Sequence, residues 1–234
     1  NTAESGMRFL DELSGGEDPF CLCVSFADPH SPYVAPRRFE ELYPLDEMKL
    51  YPRREGEIQD KARRFDMKWR AQGSPRATEE DMRRFMAVYY AMVSFVDEQV
   101  GRLLDALREK GLDENTVVVF TSDHGEFCFE HGMYRKDLVL LDSVLRVPLL
   151  LRAPGLEPQV VADTLVEEVD VMPTVLDLLG LEAPFGVQGR SLVPHLRGDG
   201  EHRDAVYGEI CPPWLYNKFE TWEEFLEHHG PNHP

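Results

Sequence analysis

Residues 79–110 keep their apolar side chains on one helical face. Met82, Phe85, Met86, Tyr89, Met92, Val93, Val96, Val100, Leu103, Leu104 and Leu107 recur at spacings of three and four. Thr78 is placed to cap this helix, with Asp81 near the capping-box position, and Gly111 is placed to end it. A stripe of that length has to be buried against other elements. Its Met and aromatic positions read as core packing, not as a cofactor box. Short runs rich in β-formers flank it: "PFCLCVSF" (19–26), "NTVVVFTS" (115–122) and "VPLLLRAPG" (147–155). The second is expected to be a buried strand. Asp170 is placed to cap a later helix with Pro173 in its first turn and Gly180 at its end. Strand, long helix, strand, loop, strand, helix is the order of an α/β sheet flanked by helices.

Composition narrows the function classes. The 234 residues are 42% hydrophobic and 10% aromatic, enough for a real core. No apolar run approaches the roughly 20 residues that span a bilayer. The formal net charge of −18 argues against nucleic acid as a partner. An anionic substrate would need a locally positive pocket, which a metal ion can supply. The chain begins Asn-Thr-Ala-Glu without a starting Met, and is expected to be a piece of a longer protein. Cys21, Cys23, Cys128 and Cys211 form no CxxC pair and are expected as small buried core residues. Residues 37–77 read as irregular and polar. There Arg53, Arg54, Lys61, Arg63, Arg64, Lys68, Arg70 and Arg76 outnumber the nearby acids, as a solvated excursion or as a flap near an anionic ligand. Residues 201–234, with His228, His229 and His233, read as a solvated tail or the start of a smaller subdomain.

The chemistry concentrates in "FTSDHGEFCFEHGMYRK" (120–136). Asp123 and His124 stand just past an apolar run, where α/β sheets bind their ligands. Both side chains reach one ion only if the chain turns there, and Gly125 gives that freedom. A hard oxygen beside an imidazole nitrogen suits a divalent cation. Alternatively, Asp123 caps a turn and His124 is a satisfied buried imidazole.

This stretch resembles the metal-and-lysine segment of the type I sulfatases of the alkaline phosphatase superfamily. "PFCLCVSFADPHSPYVAP", "LRVPLLLRAPG" and "VDVMPTVLDLLGLEAPFGVQGRSLVPHLRG" resemble three further blocks of that family, in family order, over about residues 19–198. The resemblance implies an alkaline-phosphatase-like sheet, incomplete at the N-terminus. Residues 1–200 would be the C-terminal portion of the catalytic domain. It implies sulfuric ester hydrolysis, on a sulfated small molecule or glycan. Asp123 and His124 would ligate the metal, usually calcium, with manganese or a similar ion as the alternative. Lys136 would contact the sulfate and the leaving oxygen, and His30 would hydrogen-bond the sulfate ester. His131 matches no such role and is expected to support its neighbours. Periplasmic, secreted or lysosomal location is typical of the family.

The family nucleophile is a formylglycine made within C/S-x-P/A-x-R. Cys211 in "CPPWL" is a near match, but Leu215 stands where Arg is required, and it follows the metal pair instead of preceding it. No Asp-Asp dipeptide is present either. Both features are expected upstream of this chain, which alone would lack turnover. Rival readings are a phosphodiesterase or phosphonate monoester hydrolase of the same superfamily, and a non-catalytic member that binds sulfated glycans.

Overall fold

The computed structural model describes residues 1–16, 18–136, 139–161, 164–201, 203–209 and 221–229. Its helices are α1 (Thr2–Leu13), α2 (Arg37–Glu40), α3 (Arg63–Ala71), α4 (Glu79–Glu109), α5 (Asp142–Leu145), α6 (Val171–Leu178), α7 (Val193–Leu196) and α8 (Trp222–His229). Its strands are β1 (Val118–Thr121) and β2 (Leu149–Arg152). Two compact units emerge: residues 1–111, 125–144 and 210–234 form the first, and residues 112–124 and 145–209 the second. No described helix is long and apolar enough to cross a membrane.

The first unit is organised on α4. Thr78 and Asp81 form the reciprocal capping box, with Thr78 N–H donating to the Asp81 carboxylate at 2.9 Å. Gly111 takes the left-handed conformation that ends the helix (φ 67°). Met82, Met86, Ala87, Ala91, Met92 and Leu107 are buried as the stripe requires, whereas Val93 is exposed. Helix α1 packs close to α4 at Gly6, where a Cβ would come within 3.0 Å of Leu103. Phe39 of α2 packs on Ala91 and Met92. A second cluster joins Ile58, Phe65, Phe127, Met133, Val139 and Val144.

That cluster corrects the reading of 37–77 as a solvated excursion. The segment carries α2, α3 and short 3-10 turns, and it buries Phe39, Met48, Ile58, Phe65, Met67 and Lys68. The abundant Arg and Lys side chains hide an apolar face, because long cationic stems cover such surface while their heads stay in water.

The run 19–26 is not a strand. Leu22, Val24 and Phe26 are half-buried and Cys21, Cys23 and Ser25 exposed, the alternation of a pleated segment. It makes no backbone hydrogen bond to another described residue, and a ladder needs a partner. Cys21 and Cys23 are therefore exposed, contrary to expectation, while Cys128 is buried. Cys211 lies outside the described residues, as does His233. The tail carries α8, with His228 exposed on it.

In the second unit β1 pairs antiparallel with β2, Val118 opposite Arg152 and Thr121 opposite Leu149. Strand β1 is half-buried to exposed, with Phe120 at 37% exposure, so it is not the buried strand expected. Strand β2 starts after Pro148, which has no N–H to give to a ladder. Helix α6 ends before Gly180 (φ 69°) as expected. Asp170 stands at its N-cap position, but its side chain makes no cap hydrogen bond to the helix. Its carboxylate accepts from Glu167 N–H and Arg190 N–H at 2.8 Å and from both Arg203 guanidinium nitrogens at 2.8 and 2.9 Å.

Candidate active site

In the second unit, the chain turns directly after β1. Asp123 Oδ1 accepts the backbone N–H of His124 at 3.0 Å, and Ser122 Oγ donates to the His124 carbonyl at 3.0 Å. That geometry bends the chain so that consecutive side chains meet: His124 Nε2 lies 3.5 Å from Asp123 Oδ2. Asp123 is exposed and His124 half-buried. Glu168, in the 3-10 turn before α6, belongs to the same neighbourhood. Burial raises its carboxyl above the ordinary range, the Asp123 charge raises it further, and His124 opposes both. A carboxylate that gains from a nearby cation is thus present, and no sequence motif marks it. The donor chemistry fits a divalent cation as part of a larger ligand set. No group of three or more His, Cys, Asp or Glu side chains that could hold a metal is gathered among the described residues.

In the first unit, residues 128–134 close on themselves through a bridge between Cys128 and Tyr134. The Phe129 and Tyr134 rings stack at 5.3 Å, and Phe85 of α4 meets both edge-on. Phe129 (φ 65°), His131 (φ 53°) and Arg135 (φ 59°) are the non-glycine residues with left-handed backbone among those described. Such strain persists only where surrounding structure imposes it, and it gathers at functional sites. Here it aims the chain that carries Lys136, which is half-buried.

Glu126 lies beneath this segment. Burial pushes its carboxyl up; the Tyr33 hydroxyl, which donates to it at 3.1 Å, the Lys136 charge, Phe127 N–H and the Lys68 charge pull the other way. Tyr33 stands three residues after His30, so this hydrogen bond ties the loop of His30 to the segment before Lys136. The Tyr33 phenol is raised, first by burial and then by Glu126. Burial pushes the Cys128 thiol up to about 12, which leaves it inert as a nucleophile. His30 is exposed, and its Nδ1 lies 2.8 Å from the Ser31 carbonyl. A carbonyl only accepts, so Nδ1 carries the hydrogen and Nε2 is the nitrogen left for other chemistry.

His131 is held at 2.5 Å by Glu57 from the loop before α3. That hydrogen bond draws the Glu57 carboxyl below its ordinary range, against burial. The adjoining hollow of about 220 Å³ is lined by Arg53, Arg54, Glu55, Glu57, Trp69 and His131. Both signs of charge line it, so it is no selective anion site. Of the residues singled out from sequence, Asp123 and His124 come together in one unit, and His30 and Lys136 belong to the other. Tyr33, Glu126, Lys68 and Glu168 carried no sequence signal, because each is defined by what surrounds it.

Residues 2–181 match the sulfatase family model. The choline-sulfatase of Rhizobium meliloti (strain 1021) is 36% identical over 196 residues, covering 77% of this chain and 36% of that protein. Human arylsulfatase K is 32% identical over 144 residues, covering 62% of this chain and 26% of that protein. Among solved structures, the phosphonate monoester hydrolase of Silicibacter pomeroyi superposes with a TM-score of 0.76 at 31% identity, over 86% of this chain and 42% of that one. The chain thus spans about a third of the length of the curated relatives it matches. The α/β architecture is alkaline-phosphatase-like, shared with sulfatases and phosphonate hydrolases alike. With the match running through α1, the turn at Asp123 and His124, the Lys136 segment and α6, the chain belongs to the sulfatase family.

Proposed function

We propose that this chain contributes the metal pair, the lysine and the substrate histidine of a sulfuric ester hydrolase. The observation that carries the reading is the turn after β1, which sets the Asp123 and His124 side chains against each other in a family member. Cleaving a sulfate ester develops negative charge on the bridging oxygen and on the sulfuryl oxygens, and preorganised cationic groups are what accelerate it. Asp123 and His124 would hold a divalent cation, calcium by family habit, which when bound supplies Lewis-acid stabilisation of the sulfuryl oxygens. Lys136 offers an ammonium to the bridging oxygen as the bond breaks. His30, with Nδ1 committed to Ser31, presents Nε2: bare, it accepts a hydrogen bond; protonated, it donates one to the leaving group. The family's formylglycine supplies the nucleophile, and residues outside this chain would provide it.

Phosphonate monoester hydrolysis is the second reading, favoured by the superposition on the Silicibacter pomeroyi enzyme. The test is turnover by the full-length protein on matched aryl esters. Aryl sulfate should be cleaved at least about tenfold faster than the aryl phosphonate monoester, the kind of margin a site imposes when it is built to hydrogen-bond a third non-bridging oxygen that the phosphonate, an equally charged monoanion, replaces with carbon. The reverse preference would establish the second reading. Absence of turnover on both, with binding of sulfated glycan retained, would identify a binding protein instead.

A further inference from the structure

Lys68 is wholly buried, with 0% of its surface exposed. It lies on α3 among Phe65, Met67 and Ala71, where a hydrophobic side chain of similar length would pack as well. Burying an ammonium is costly unless its hydrogens are taken up. Lys68 Nζ donates to the carbonyl of Arg135 at 3.1 Å and to the carbonyl of Lys136 at 3.2 Å, and stands 5.3 Å from the centroid of the Phe127 ring. Those two carbonyls belong to the peptide planes on either side of the Lys136 Cα. Peptide planes are rigid, so holding both fixes the φ and ψ of Lys136 and the direction in which its side chain leaves the backbone. The preceding residue, Arg135, is one of the left-handed positions, a conformation that a non-glycine residue abandons unless it is held. A compact ammonium with three rotatable donors suits two converging carbonyls, where a broad planar guanidinium does not.

We propose that Lys68 is the positioning residue for Lys136, its buried ammonium clamping the two peptides that aim the Lys136 side chain. This rests on the reading of Lys136 as the group that meets the sulfate ester. Lys68 touches no substrate; it acts through the backbone of another residue. Through Lys68, the basic segment before α4 supports the backbone that carries Lys136.

The test uses the full-length protein and Lys68→Met, which keeps the volume and removes the donors. Hydrogen exchange at the 135 and 136 amides should rise by at least about tenfold, as expected when a local lock is lost. With aryl sulfates, kcat should fall roughly 10–100-fold, the range a displacement of about 1 Å produces, with KM little changed. The loss should grow for poorer leaving groups. The Lys68→Met/Lys136→Ala double variant should be no slower than Lys136→Ala, because residues acting as one unit are not additive. Losses that multiply in the double variant, or unchanged exchange at 135 and 136, would overturn the proposal. Raised exchange together with a harmless Lys136→Ala would uphold the clamp and remove Lys136 from the reaction. Should Lys68→Met fail to fold, Lys68→Arg carries the test: it keeps the charge but not the geometry, and must still raise exchange at 135 and 136 and lower kcat.

Discussion

Lys136 carries the sharpest test of the sulfatase reading. An ammonium that meets the leaving oxygen gives more in the transition state than in the ground state. Lys136→Ala in the full-length protein should therefore lower kcat by roughly 10²–10³-fold with little change in KM. The loss should shrink as the leaving alcohol becomes more acidic, measured over a graded series of aryl sulfates; a uniform loss would place Lys136 elsewhere. His124→Ala should weaken divalent-metal binding at least about tenfold by calorimetry, since two adjacent ligands lose one. Asp123, His124, His30 and Lys136 were singled out in sequence from short motifs that resemble family blocks, and their roles are proposed from that resemblance. Lys68 was not legible. In sequence it is one cation of a basic run, and its burial is decided by Phe65, Met67 and Phe127, which meet only in the fold. Glu126 was passed over for the same reason, since its partner Tyr33 is 93 residues away.

At the level of elements, α4 was readable almost to the residue because a three-four repeat, a capping box and a terminal glycine all agree. Thr78→Ala should cost about 1 kcal/mol in chemical denaturation, the usual worth of an N-cap. The strands were harder. A β-branched run shows that a segment can extend, but not what pairs with it, and 19–26 extends without a ladder. Helix α6 was found with Asp170 at its N-cap position, but the partners of the Asp170 side chain were not, because only the fold supplies Arg203 from far downstream. Burial alone would raise the Asp170 carboxyl, yet the hydrogen bonds from Arg203, Arg190 N–H and Glu167 N–H leave it below the ordinary value. A depressed folded value means that the stabilisation is complete above about pH 4, the unfolded aspartate range, and is lost as pH falls through the folded value. Asp170→Asn should be less stable at neutral pH, and its stability should fall less on acidification. Arg203→Ala, which leaves a buried carboxylate without its cation, should cost about 3 kcal/mol.

On the scale of the whole molecule, many apolar side chains of the second unit face outward. Leu150, Val160, Val169, Met172, Leu179, Leu181 and Phe185 are each more than 45% exposed. Exposed apolar side chains bind other apolar matter where they gather into a patch. Residues 1–234 prepared alone should enhance the fluorescence of a hydrophobic dye, and Leu179→Ser with Leu181→Ser should reduce the signal. The extended run at 21–26 bears on how such a sample behaves on the bench. Cys21 and Cys23 present two accessible thiols on one side of a run that makes no backbone hydrogen bond to another described residue, whereas Cys128 is buried. In a Cys211→Ser background stored without reductant, the chain should migrate as covalent multimers on a non-reducing gel, and adding Cys21→Ser with Cys23→Ser should restore a monomeric band. The same pair makes an attachment point for a maleimide fluorophore, one that leaves the residues around Lys136 untouched.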